Sequence, residues 1–235
     1  MLKTELSLTH KVIAVTGASG SLGQALIQAF SAQGAKVVAL TTAKHLELDP
    51  AVEIVSWRPG AELELGDRLK TVDILVINHG VNVYHDRSPA AIQKSLEVNA
   101  LSAWSLMELF LSTIEPSDQE SNKEVWVNTS EAEVNPALSP LYELSKRMLG
   151  DLVTLRRLDR ICVIRKLILG PFKSQLNPVG VMSPQWVAGA IVALAKRDFK
   201  DVIVTINPLT YILFPLKEIS KSLYFRIFTH SPCMH

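Results

Sequence analysis

The sequence predicts a single α/β domain built on a doubly wound parallel sheet, and three observations carry that reading. A β-forming run at residues 12–15 breaks into the glycine-spaced turn TGASGSLG and then into a helical pattern. The run VDILVIN at residues 72–78 is continuously apolar, as a strand covered on both faces must be. Helical periodicities and short apolar runs then alternate along 235 residues, a length that suits one such domain.

The turn comes first and organises the chain. A strand that ends in Thr16-Gly17 and re-enters a helix by Gly23 aims backbone N–H groups and the positive end of the helix dipole at one point, where a pyrophosphate can sit. Gly17 permits the tight turn, Gly20 lets the backbone approach the phosphates, and Gly23 lets helix and strand pack with no Cβ between them. The spacing is Gly-x-x-Gly-x-x-Gly rather than G-x-G-x-x-G, so the turn alone does not define a nucleotide site. Leu22, Ala25, Leu26 and Phe30 form the apolar face of the following helix, Gly34 closes it, and a strand at residues 36–40 completes a βαβ unit. The position that meets the adenosine ribose reads Thr41, Thr42, Ala43, Lys44. Without a carboxylate there, two hydroxyls and an ammonium suit a 2′-phosphate better than a diol; NADP is expected, NAD is the second option, and a solvated Lys44 is the plain alternative.

Residues 52–57 read as a third strand, and residues 58–70, with Pro59 and Gly60, hold at most a short helix. The run at residues 72–78 ends in Asn78-His79-Gly80, where His79 is expected to pack or hydrogen-bond rather than act as a base. Ser88 caps a long helix over residues 89–114 with Pro89 in its first turn and a stripe of Ile92, Leu96, Ala103, Met107 and Phe110. Asn99 interrupts that stripe, and its position alone reads as a structural bracket. The polar residues 115–124 form a loop before a strand at residues 125–128, which ends in Thr129-Ser130.

A helix reaching about residue 157 then carries Tyr142 and Lys146 at i and i+4, on one face. An ammonium beside a phenol stabilises the phenolate and draws its pKa toward neutrality; a chance spacing is the alternative. A sixth strand at residues 161–168, a short loop at residues 170–183, a helix at residues 184–196 and a last strand at residues 201–206 complete the core pattern. The tail at residues 208–228 mixes apolar side chains with Lys217, Lys221 and Arg226, and Pro215 is expected to divide it into two short pieces.

Composition removes several classes of function. A net charge of +1 supplies no field for nucleic acid, and two distant cysteines without a histidine cluster suggest neither a disulfide framework nor a metal site. The first ten residues lack a signal core and no run approaches a spanning helix, so a cytoplasmic protein is expected.

Taken in this order, the TGxxGxxG turn, an Asn-x-Gly after the fourth strand, a helical Asn, a strand-end Ser and YxxxK resemble the short-chain dehydrogenase/reductase family over almost the whole chain. The resemblance implies a Rossmann-like sheet with a nicotinamide cofactor across the C-terminal strand edge. It implies that Tyr142 is the general acid/base, Ser130 holds the substrate oxygen, Lys146 holds the nicotinamide ribose and lowers the tyrosine pKa, and Asn99 holds a relay water. Cofactor contacts are implied at Thr16, Gly17, Ser19, Gly20, Ser21, Leu22, Gly23, Thr41, Thr42, Lys44, Asn78, Gly80, Lys146, Gly170 and Ser174. The chain departs from the family at His79 for the usual alanine, at Trp57 for an acidic residue, and at Leu169-Gly170 for Pro-Gly; Ser174 stands where a threonine is usual.

SEAEVNP, YELSKRMLGDLVTLRRLD and RKLILGPFKS look more closely like the dehydrogenase half of bacterial proteins in which it follows a sterol desaturase-like membrane half. The chain opens on its own Met and is expected to act beside such a half or without one. An enzyme acting on a lipid-like or other bulky substrate is expected. Its rival is a non-catalytic nucleotide-binding regulator, or a partner subunit of a membrane desaturase, on the same fold. The long helices are expected to form a homo-oligomer. The tail is expected at a membrane surface or against a membrane-bound partner, or else folded over the sheet edge.

Overall fold

The structure, a computed structural model, describes residues 6–115 and 123–230. Most of the polar loop read at residues 115–124, along with Cys233, lies outside the described residues. The strands are β1 (Val12–Thr16), β2 (Lys36–Thr41), β3 (Glu53–Ser56), β4 (Ile74–Ile77), β5 (Glu124–Asn128), β6 (Val163–Leu169) and β7 (Asp201–Val204). They form one parallel sheet in the order β3-β2-β1-β4-β5-β6-β7. The order reverses between β1 and β4, which opens a crevice beyond the C-terminal ends of those two strands. Every strand boundary agrees with the sequence reading to within two residues.

Successive strand residues alternate between two cores, which is why the fourth strand reads as unbroken apolar sequence. Ile74 and Val76 join Ile13, Val15, Val37 and Ala39 on one face, whereas Leu75 and Ile77 join Ala14, Val38 and Leu40 on the other. The first face is covered by α1 (Ser21–Ala32) and α6 (Pro184–Lys196), through Leu26, Phe30, Val187 and Ile191. The short α2 (Gly66–Lys70), α3 (Pro89–Leu96), α4 (Ser102–Leu111) and α5 (Pro140–Arg156) lie on the second side, where Leu106, Met107, Phe110, Leu149 and Val153 fill the core. Ser88 caps α3 by accepting the Ala91 N–H at 3.2 Å, a contact worth about 1 kcal/mol.

Two elements differ from expectation. The long helix is not one α-helix: a π-helical turn, Glu97–Leu101, separates α3 from α4. Asn99 sits in that turn, so the break in the apolar stripe marks a change in helical pitch. The tail is not divided by Pro215, since α7 (Thr210–Phe228) runs through it as one helix. Proline at the sixth position removes only one bond near the helix start, where the first amides already bond three residues back. Among the described residues no helix is long and apolar enough to cross a membrane.

Sequence periodicity also missed two charges inside β6. Arg165 donates to Glu124 twice, at 2.8 and 2.9 Å, on one sheet face. Lys166, with no exposed side-chain surface, meets Glu218 at 2.7 Å and Glu133 at 3.5 Å on the other.

Candidate active site

The crevice floor is made by the turn between β1 and α1. Gly17 has φ 63°, and a Cβ there would press on the His79 backbone; a Cβ on Gly23 would overlap the Gly17 carbonyl. The α1 N-terminus has Gly20 at its cap with no side-chain bond and no acidic residue in its first turn. Its amide donors and positive dipole end therefore remain open to an anion, and the backbone passes where side chains would block approach, which fits the pyrophosphate of a dinucleotide. Ser19 and Ser21 flank the turn partly exposed, while Leu22 is buried in the core.

Thr16 acts as a strut. Its hydroxyl accepts the amides of Asn78 and His79 at 2.8 and 3.2 Å, which ties the end of β1 to the loop after β4. His79 is buried with Nδ1 2.9 Å from Thr16 Oγ1 and its ring edge-on to Trp57 at 5.0 Å. Burial first, then the nearby Lys146 charge, lower its pKa to about 3, against the pull of the Val98 carbonyl. His79 is thus a neutral packing group, as the sequence led us to expect. At the end of β2, Thr41 is buried and accepts the Ala43 amide at 3.0 Å, whereas Thr42 and Lys44 are exposed. The pair facing solvent is Thr42 and Lys44.

Ser130, Tyr142, Lys146 and Asn99 are brought together from the end of β5, the first turns of α5 and the π turn. Asn99 is fully buried and brackets the loop after β4: its Oδ1 accepts the Val81 amide at 2.7 Å and its Nδ2 donates to the Val81 carbonyl at 2.9 Å. The same Nδ2 reaches Ser145 Oγ at 3.0 Å, linking the π turn to α5. Gly80 lies over this bracket, where a Cβ would stand 3.2 Å from Asn99 Oδ1 and 4.0 Å from Lys146 Nζ. Asn78 accepts a bond from the Asn128 side chain at 3.0 Å.

Lys146 Nζ donates to the Asn128 carbonyl at 2.7 Å and lies 5.9 Å from the Tyr142 ring centre. Burial brings its pKa down to about 8, with the Glu133 carboxylate pulling the other way. The Tyr142 phenol differs from the sequence expectation: burial raises its pKa, and the group that lowers it is Ser130, through a side-chain hydrogen bond, rather than the lysine. Lys146 directs its short bond to a backbone carbonyl rather than to the phenol. Two other expected contacts have local partners. Ser174 Oγ accepts the Asn177 amide at 3.1 Å, and Gly170 lies against Thr205, whose side chain fills the space of its missing Cβ.

A doubly wound parallel sheet with a serine, tyrosine and lysine beside its C-terminal strand ends is the construction of short-chain dehydrogenases/reductases, and the chain is similar to proteins of that family. No family model matches it. It is 59% identical over 235 residues to a monoglucosyldiacylglycerol epimerase of Synechocystis sp., across 97% of this chain and 57% of that protein. The chain therefore spans little more than half the length of that relative. It is 23% identical over 236 residues to the ketoacyl reductase HetN of Nostoc sp., across 87% of this chain and 82% of the relative. A short-chain dehydrogenase from Burkholderia cenocepacia, solved with NADP, shares the fold at TM-score 0.75 and 20% identity, over 96% of this chain and all (100%) of that one. Neither relative's name speaks of a desaturase.

Proposed function

We propose that the chain is an NADP-linked oxidoreductase that interconverts a hydroxyl and a carbonyl on a lipid-like substrate. The observation that carries this reading is the meeting of Ser130, Tyr142 and Lys146 beside an uncapped helix N-terminus at the reversal point of the sheet. Backbone amides at Ser21 and Leu22 would hold the pyrophosphate, and exposed Thr42 and Lys44 the 2′-phosphate. NADP, when bound, supplies hydride acceptance and donation. Ser130 holds the substrate oxygen, and Tyr142 gives or takes its proton. Lys146 keeps positive charge at the floor of the cleft, and Asn99 fixes the loop that carries Gly80.

The name of the Synechocystis relative points to a glycosyl diacylglycerol substrate. Epimerisation at a carbinol carbon is oxidation to a ketone followed by reduction on the opposite face, which is the proposed chemistry run in both directions. Val179 and Val181 in the loop after β6, Trp186 at the start of α6, and Ile206 and Leu209 after β7 are all exposed at the C-terminal edge of the sheet. Along α7, Ile212, Leu216, Ile219, Leu223 and Ile227 continue an exposed apolar stripe, which suits a lipid surface. Lys217 and Lys221 turn instead to Glu133 and Asp151, so contact would rest on the apolar stripe more than on charge.

The test is a fluorescence titration with NADPH and NADH, followed by turnover of monoglucosyldiacylglycerol in mixed micelles. NADPH is expected to bind more tightly, and Lys44→Ala to narrow the difference. Equal affinities in the parent, or the absence of any nicotinamide binding, would overturn the cofactor reading.

A further inference from the structure

Ser130 has φ 117°, a conformation that residues with side chains rarely adopt, so its surroundings must hold it there. Locally its hydroxyl accepts the Ala132 amide at 3.1 Å. The following residues, Glu131 to Asn135, are clamped between two helices. On the α5 side, Arg147 Nε donates to the Ala132 carbonyl at 3.1 Å, and Gly150 leaves the space that the Glu133 carboxylate occupies.

On the other side the clamp is α7. The buried Thr210 hydroxyl accepts from Asn135 Nδ2 at 2.8 Å and donates to Glu131 Oε2 at 3.0 Å, closing both ends of the loop through one group. Thr205, which fills the space over Gly170, donates to the same Glu131 oxygen at 2.6 Å. Two turns along the helix, Lys217 donates to the fully buried Glu133 side chain at 2.6 Å. A hydroxyl has one proton to give, and Thr210 spends its proton and a lone pair on this loop.

We propose that Thr210 and Lys217 of α7 are positioning residues for Ser130, holding its hydroxyl where it meets the Tyr142 phenol. The proposal rests on the pairing of Ser130 with Tyr142 in the functional reading above. The helix that presents an apolar stripe outward thereby sets, with its inner face, the serine of the proton-transfer pair.

The chain has four tyrosines, so tyrosine labelled at the ring Cζ carbon gives four resonances, and Tyr142→Phe assigns the one of interest. Ser130→Ala fixes where that resonance lies when the hydroxyl is gone. Thr210→Val should move it toward that position, Thr210→Ser should restore it, and Ser220→Ala, on the exposed side of α7, should leave it in place. NADPH affinity should stay within about twofold in all of them, because the turn between β1 and α1 is untouched. Lys217→Met provides the same test through the second anchor if Thr210→Val fails to fold. The proposal is overturned if Ser130→Ala moves the resonance and neither α7 variant does, or if the α7 variants lose NADPH binding in step with any shift. If Ser130→Ala itself leaves the resonance unmoved, the pairing does not exist, and the proposal falls together with that part of the functional reading. Loss of NADPH binding in the parent, by contrast, would sink the cofactor reading and leave the resonance test standing.

Discussion

Tyr142 is the side chain on which turnover should depend. Tyr142→Phe removes the hydroxyl that moves the proton and keeps the ring, so nicotinamide binding is expected to persist while turnover falls at least a hundredfold, the usual scale for losing a general acid/base. Stopped-flow and equilibrium fluorescence check the two halves separately. His79 makes a second prediction through its proton. Its pKa is about 3 folded, against the ordinary 6.5, so the unfolded chain takes up a proton below pH 6.5 that the folded chain refuses. Stability from this residue is therefore complete above pH 6.5 and is lost progressively as pH falls toward 3. Urea unfolding at pH 7 and pH 5 should show the parent losing about 2 kcal/mol more than His79→Ala over that interval. The motif residues were legible one by one because each lies within a few positions of the break or repeat that betrays it. What could not be read was the partner of each group: Lys146 turns to a carbonyl eighteen positions away, and Ser130 takes over the role expected of the lysine at the phenol.

Among the elements, the turn between β1 and α1 is the most exacting. Gly23→Ala would drive a methyl into the Gly17 carbonyl, so NADPH affinity should drop more than tenfold with little change in far-ultraviolet dichroism. β6 carries the opposite kind of requirement. Glu124→Ala would take the bidentate partner from the buried Arg165 and leave it to Asp198 and the Phe199 carbonyl, a loss that differential scanning calorimetry would register as a lowered Tm. Strand positions were legible because burial on both faces writes itself into a short run of sequence. The π turn was visible only as a misplaced asparagine, since its cause lies in the Val81 backbone and Ser145 that Asn99 must reach. The continuity of α7 was hidden by Pro215, because sequence shows the missing donor and not how few bonds depend on it. Lys166 and Glu218, more than fifty positions apart, could not be paired from sequence at all.

At the scale of the whole molecule, exposed apolar residues gather on two surfaces. Ile92, Leu101, Leu144 and Met148 lie outward on the helices of the second sheet face, and a homodimer or tetramer through them is expected. Light scattering at micromolar concentration tests this, and a monomeric mass would rule it out. The second surface is the stripe on α7 with the rim of the cleft. Co-sedimentation with liposomes should persist at high salt and be lost in Ile219→Glu; a full chain that stays in the supernatant would leave the stripe for another partner.

The attachment of α7 has a kinetic side. Of its nineteen residues, only Thr210 and Phe214 are buried, and most of what fastens the rest to the body is ionic. An element held in this way should open as a unit well below the free energy needed to unfold the sheet. Because Glu131, Glu133 and Asn135 lose their anchors in the same event, amide hydrogen exchange at residues 131–135 should speed up together with that of α7. Amides of β1 and β4 would remain protected throughout.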